Sequence, residues 1–356
     1  MALGIQRGGM QRCRPQFLTA RFDGPVAFSN SGWQWWLGEG QAHRPAQTID
    51  HHFHAGAGSG VTLLREKAAR SRRLYSLAPP SLPATPRHFV KQMAVSPRKR
   101  LGALLGCSNA LLGFSHGTAE LAHNLALHER TVHGVRTFAF GEYFRHGLPV
   151  QQVLLQEYLL GWQPFNVVWQ AHEHEATRRH ALLSKLIAML ASLRDAGISH
   201  LDLHPGDVMV SPDPQAPLRA IDCGQMSMAA DPAILTAMHL SVFLHELNGK
   251  RLLPSPQLEE SARTLLYRLV GGEAEFAGAE RLVSLLVRYS SKKPFSRRRL
   301  LQRRRERLDT SIIETRLQAL SHSRSLPAQV AHASSIGSRQ ELRLIASIED
   351  VVTMAP

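Results

Sequence analysis

Residues Gly197 to Met226, GISHLDLHPGDVMVSPDPQAPLRAIDCGQM, decide how the rest of the chain is read. His200, Asp202 and Asp207 fall in a short polar loop after a helical pattern, and the apolar run Leu218 to Ile221 then delivers Asp222 and Gly224. Phosphoryl transfer needs such a set of parts: a carboxylate to orient the attacking hydroxyl, and further oxygens to hold the Mg²⁺ that bridges the phosphates of ATP. The plainer reading is turn chemistry. Pro205-Gly206 and Pro212-Asp213-Pro214 are turn sequences, and an Asp after a short apolar run often does no more than cap or turn the chain. Four acidic and histidine positions in order, with a strand lysine upstream, favour the catalytic reading.

At 356 residues the chain can bury a substantial core and fill one two-lobed domain or two domains. A net charge of +14 implies an anionic partner: nucleic acid, an anionic membrane surface or a phosphorylated substrate. Nucleic acid is the least favoured, because no base-stacking aromatic strip or standard binding motif accompanies the charge. Cys13, Cys107 and Cys223 are too few and too scattered for a disulfide framework or a structural zinc site, which points to a reducing compartment. The N-terminal MALGIQRGGMQRCRPQF lacks the apolar core of a signal peptide, and no run of 18 apolar residues predicts a membrane span.

Residues 1–60 are Gly-rich, with Trp33, Trp35 and Trp36 expected on a strand that packs on the first lobe. His51, His52 and His54 complete no metal-ligand set with their neighbours. Gly56, Gly58 and Gly60 read as a linker or tight turn, since no lysine follows at phosphate-loop spacing. A better phosphate-covering turn is Ala69-Arg70-Ser71-Arg72-Arg73, between the runs Val61–Leu64 and Leu74–Leu77, where the Ser71 hydroxyl and backbone N–H groups could meet phosphate. HFVKQM, His88 to Met93, reads as a strand with Lys91 in its middle. In an ATP site that lysine pairs with the phosphates and is held by a Glu from a packed helix. The helix predicted over Gly117 to Arg130 offers Glu120, with Glu129 as the alternative.

Strand-like runs at Gly134–Gly141 and Val153–Leu159 would complete a small antiparallel lobe, with backbone groups near Gln156, Glu157 and Tyr158 facing the adenine. From Ala176 to Ala196 the period becomes 3.6, with Leu182, Leu183, Leu186, Ile187, Leu190 and Leu193 on one stripe and Gly197 as terminator. Further helices are predicted at Ala233–Leu247, behind the cap Asp231-Pro232, and at Leu258–Val270 and Glu280–Tyr289. Lys292 to Arg307 holds nine Lys or Arg against the single acid Glu306, either a solvated helix face or a patch for an anionic surface. Residues 321–338, rich in Ser, Ala and Gly, read as a connector.

VKQM, LLQEYLLGW, GISHLDLHPGD and AIDCG, in this order and over roughly residues 60–310, resemble the bacterial lipopolysaccharide core kinases, the Kdo and heptose kinase family of the protein-kinase-like superfamily. The resemblance implies an α+β fold of two lobes, a small antiparallel β-lobe and a larger, mostly helical lobe. The boundaries it suggests are an N-terminal extension at 1–60, an ATP-binding lobe at 61–160, a catalytic lobe at 161–320 and a C-terminal connector with a short helix at 321–356. It further implies ATP and Mg²⁺, with Asp202 as base beside His200, Asp207 and Asp222 as metal ligands, and Lys91 on the phosphates. The implied acceptor is a sugar hydroxyl of lipopolysaccharide core, at the cytoplasmic face of the inner membrane. Two positions depart from the superfamily pattern: Asp207 stands where the metal-binding Asn is usual, and Cys223 where an aromatic follows the metal-binding Asp. A catalytically weak, binding-only relative and an aminoglycoside-type small-molecule phosphotransferase are the alternatives. The protein kinases are disfavoured by Leu201 before the base and His204 two residues after it.

Overall fold

The computed structural model describes Leu18 and residues 21–38, 42–56, 60–67, 72–79, 87–105, 108–109, 113–114, 116–200, 203–224 and 226–227, with Phe243 and Leu247. The predicted helices at 258–270 and 280–289, most of that at 233–247, the basic run 292–307 and the connector at 321–338 lie outside these residues. Two compact units are formed. The first takes described residues up to Glu129, Gly134–Gly161 and Asp222–Gly224; the second takes Arg130–His133, Trp162–Ile221 and residues from Gln225 onward.

The first unit is built on a seven-stranded antiparallel sheet. Its strands are β1 (Asp23–Val26), β2 (Trp33–Leu37), β3 (Val61–Lys67), β4 (Arg72–Leu77), β5 (His88–Ala94), β8 (Thr137–Arg145) and β9 (Leu148–Glu157), in the order β1-β2-β8-β9-β5-β4-β3. A minor pair, β6 (Ser108–Asn109) with β7 (Gly113–Phe114), stands apart. Helices α1 (His43–Ala55), α2 (Arg100–Leu105) and α3 (His116–Arg130) complete the unit.

Side chains alternate across a strand, so Trp33, Trp35 and Leu37 leave β2 on one face and Trp36 on the other. The first face packs with Tyr75, Leu77, Val90, Ala139, Val153 and Leu155 against Ala46 and Ile49 of α1. Phe53 of α1 stacks on Trp33 with ring centroids 5.1 Å apart, and Trp33 stacks on Trp35 at 5.8 Å. On the opposite face Trp36, Met93, Phe140 and Leu154 pack with Leu121 of α3. The central strands are thereby covered on both sides, which is why Val90, Lys91, Gln92 and Met93 are consecutively buried.

Residues 23–55, expected as an extension with at most one strand on the lobe, thus supply two strands and a covering helix. A buried polar cluster secures them: Asp50 of α1 accepts from Trp35 Nε1 at 3.0 Å and from Ser29 Oγ at 2.7 Å. Gly141 lies opposite Trp35 on β8, where a Cβ would come within 2.8 Å of the indole, so only glycine lets the ring lie flat on the sheet.

In the second unit β10 (Gln163–Pro164) leads into α4 (Phe165–Ala171) and α5 (Ala176–Asp195), and the short strands β11 (Ser199–His200), β12 (Val208–Val210), β13 (Arg219–Ala220) and β14 (Met226–Ser227) follow. The stripe of α5 is buried at Leu182, Leu183, Leu186, Met189, Leu190 and Leu193, with Ile187 half-buried. Gly197 ends it as expected, at φ 66°, with the Ile198 N–H on the Leu193 carbonyl and its own N–H on the Arg194 carbonyl. That pair of bonds satisfies two terminal carbonyls, and a left-handed residue is needed to form it.

Candidate functional site

Lys91 sits in the middle of β5, opposite Leu74 on β4 and Leu154 on β9, and points to the face that α3 covers. Its Nζ donates to Glu120 Oε1 at 2.5 Å and to Asp222 Oδ1 at 2.9 Å. Glu120, not Glu129, is therefore the helix partner. Glu129, two turns further on, is exposed and pairs with Arg21 through Nη2 and Oε2 at 2.9 Å. Lys91 and Glu120 are almost wholly buried, whereas the Asp222 side chain is 44% exposed.

Burial by itself would push the Lys91 ammonium down, but the Glu120 and Asp222 carboxylates outweigh it and hold the lysine above its ordinary value. Burial raises the Glu120 carboxyl, with Lys91 opposing. The ammonium thus stays charged in a setting that would neutralise an unpaired lysine.

α3 carries a second contact one turn on. His123 Nδ1–H donates to the Cys223 carbonyl at 2.8 Å, so Glu120 and His123 together fix the Asp222-Cys223 segment. Asp222 adopts the left-handed conformation, φ 56°, while Cys223 is buried, a small apolar side chain where an aromatic was expected. Arg72 of β4 reaches the other carboxylate oxygen, Nη1 to Asp222 Oδ2 at 3.4 Å. Two cations and two carboxylates therefore converge. His123 was not singled out from the sequence, and Arg72 was named only as one residue of the phosphate-covering turn Ala69–Arg73. His123 falls three residues after Glu120, and Arg72 two before Leu74, the partner of Lys91, so both spacings point to this face.

In the second unit, His200 is completely buried and its Nε2 meets the Ile221 carbonyl at 3.4 Å, tying β11 to the residue before Asp222. Asp207 closes the Pro205-Gly206 turn, its N–H on the His204 carbonyl, and its carboxylate accepts from His204 Nε2 at 2.8 Å. The Asp207 carbonyl accepts from the Ile221 N–H at 2.8 Å. Asp202 and Ser71 lie outside the described residues. Glu157 and Tyr158 end β9 half-buried, with their N–H groups committed to the carbonyls of Arg136 and Arg87 at 2.9 and 3.1 Å. Any adenine contact there falls to their carbonyls or to the backbone that follows.

Carboxylate oxygens suit a hard cation. The first unit offers the exposed carboxylate of Asp222 and the second that of Asp207, held by His204; among the described residues no three His, Cys, Asp or Glu side chains form a closed metal cage. Mg²⁺ needs none, since it retains waters and takes substrate oxygens beside one or two carboxylates.

Burial also holds the imidazoles of His88, His123 and His133 below the ordinary histidine value; His133 Nδ1–H serves the Leu218 carbonyl at 2.7 Å. Their folded pKa values lie below the unfolded value of about 6.5, so below that pH the unfolded chain takes up protons that the folded chain refuses. Stability should be flat above about pH 6.5 and fall as the pH drops below it. Thermal midpoints at pH 7.5, 6.5 and 5.5 would check this: an unchanged or higher midpoint at pH 5.5 would contradict it.

Residues 110–224 match the Lipopolysaccharide kinase (Kdo/WaaP) family profile. The match takes in α3, β8, β9 and the Gly197–Gly224 stretch, and begins after Lys91. Among solved structures the chain is similar to WaaP in complex with acyl carrier protein, at 18% identity and a TM-score of 0.42, covering 63% of this chain and 88% of that one. No curated protein matches it in sequence. Among the described residues no helix is long and apolar enough to cross a membrane. Residues 110–224, which hold Glu120, Asp202, Asp207 and Asp222, are thus similar to the lipopolysaccharide kinase (Kdo/WaaP) family, the one that the motifs resemble.

Proposed function

We propose that this chain is an ATP-dependent kinase that phosphorylates a sugar hydroxyl of lipopolysaccharide core, Kdo or heptose, at the cytoplasmic face of the inner membrane. The observation that carries the reading is Lys91, buried and charged, pinned by Glu120 and aimed with Arg72 at the exposed carboxylate of Asp222. In this reading the first unit is the small ATP-binding lobe and the second the helical catalytic lobe of a protein-kinase-like fold.

ATP, bound with Mg²⁺, would supply the transferred phosphoryl group. Lys91 and Arg72 bind and orient phosphate oxygens, with Ser71 beside Arg72 as a hydroxyl donor. Glu120 keeps Lys91 from swinging away, and His123 holds the main chain at Cys223 so that Asp222 presents its oxygens. Asp222 and Asp207 would offer the oxygen ligands for the cation, and His204 fixes the Asp207 carboxylate. Asp202 accepts the proton of the acceptor hydroxyl. His200, buried against the Ile221 carbonyl, acts as a positioning residue. The backbone around Glu157 and Tyr158 receives the adenine. Lys292 to Arg307 would hold the enzyme against an anionic bilayer, each cation contributing about 1 kcal/mol near the surface.

The test is ATP consumption by the full-length chain with purified core-lipid acceptors, free sugars, aminoglycosides and casein. Core lipid should be the preferred acceptor. Asp202→Ala should lower turnover on the order of 10²–10⁴-fold. Asp207→Asn should keep most of it, because an amide oxygen remains a hard ligand. Wild-type turnover in Asp202→Ala, or preference for an aminoglycoside, would overturn the assignment.

A further inference from the structure

Beyond β5 the chain turns through Val95, Ser96 and Pro97 into Arg100 of α2, and beside this turn the β8–β9 hairpin folds over at His146-Gly147. Between them lies a recess of about 850 Å³, lined by polar and cationic groups including Arg100, Arg145, His146, Tyr143, Ser96 and Gln151. Among the described residues no carboxylate lines it. The sequence shows why: no Asp or Glu occurs between Glu66 and Glu120, or between Glu142 and Glu157, the two segments that form the walls. Arg98 and Lys99 adjoin it and add to the same field.

Arg100 is the informative side chain. Its Nε is buried and has no hydrogen-bond partner among the described residues. That N–H is itself out of a ligand's reach, but it shows that no described acceptor holds this edge of the guanidinium, and among the described lining residues no carboxylate neutralises its charge, which leaves that charge to an anion entering the recess. Gln151 is fixed beside it: its Oε1 accepts from Gln92 Nε2 at 2.7 Å, which leaves its own amide nitrogen as the end that can donate to a ligand. Tyr143 is braced by Trp33, ring centroids 5.5 Å apart. At the hairpin tip His146 holds φ 51°, a conformation usually left to Asn or Gly, and so places an imidazole at the rim. The volume is that of a small-molecule site.

We propose that this recess binds a phosphate monoester, separately from the Lys91–Glu120–Asp222 centre, with Arg100 and Arg145 as the paired guanidinium donors and His146 and Gln151 completing the contacts. Such a group reaches the recess on a soluble sugar phosphate or on a lipid headgroup, and guanidinium forks suit either.

Calorimetric titrations of the full-length chain would use inorganic phosphate, glucose 6-phosphate and dihexanoyl phosphatidic acid below its micelle concentration. Wild type and Lys91→Met/Glu120→Gln, which strands no buried charge, should bind alike, and Arg100→Gln/Arg145→Gln should bind at least tenfold more weakly. The Arg100→Lys/Arg145→Lys pair, which keeps the charge but not the fork, should fall between them, and its thermal midpoint guards against a folding defect. Tighter binding of glucose 6-phosphate would name a sugar phosphate as the ligand; tighter binding of the lipid would name a headgroup; either supports the proposal. Wild-type affinity in the Gln pair, loss of binding in Lys91→Met/Glu120→Gln, or equal loss in the Gln and Lys pairs would overturn it. Kinase turnover without the probes should be unchanged in the Gln pair, so the result stands apart from the assignment of the phosphotransfer centre.

Discussion

Lys91→Met is expected to lower phosphotransfer by about 10²–10³-fold, the usual cost of removing one preorganised donor from a site of developing charge. It should also cost stability. The substitution leaves Glu120 buried without its ammonium, and breaking a buried ion pair from one side typically costs about 3–5 kcal/mol. The two effects can be separated. Lys91→Met/Glu120→Gln removes the stranded charge, so the thermal midpoint should recover most of the loss while turnover stays low. Recovery of turnover in the double variant would mean that Lys91 only holds α3 in place and contacts no phosphate.

A second large effect is expected far from the chemistry. Trp35 is fully buried between β8 and α1, and its Nε1 serves the equally buried Asp50. Trp35→Ala opens a cavity and should cost about 3–5 kcal/mol. Trp35→Phe keeps most of the apolar volume but removes one donor from Asp50, a smaller loss of about 1–3 kcal/mol. Denaturant melts of the three proteins would check the ranking. If Trp35→Ala melted like wild type, residues 23–55 would be an appendage to the sheet and not a part of it.

That outcome bears on how far the sequence could be read. The strand around Lys91 and the helix around Glu120 were legible because each carries its own period, and their meeting needed only a registry that leaves Glu120 and not Glu129 under the sheet. Gly197 was legible because ending a helix with a left-handed residue is a local act. The N-terminal strands were less so. Trp33, Trp35 and Trp36 announced a buried segment, but its neighbour, β8, lies roughly a hundred residues away and nothing local names it. α1 was hidden by its histidines, and Asp50 takes on a role only once Trp35, Ser29 and Ser31 are brought around it. The reach of Arg72 to Asp222 became legible only with the β4–β5 register, which sets Leu74 opposite Lys91 and so puts Arg72 on the same face.

The pairing of β2 with β8 also orders events in time. Trp33 to Leu37 leave the ribosome long before Ala139 to Tyr143 exist to receive them, and at a synthesis rate of roughly 5–20 residues per second the interval is about 5–20 s. The strand has a partner in β1 on one edge, yet through that interval its other edge and its tryptophans have no sheet to join. Contacts so distant along the chain are slow to close and leave apolar segments open to wrong partners in the meantime. Expression of this protein should therefore depend on holdase chaperones during synthesis more steeply than its final stability would suggest.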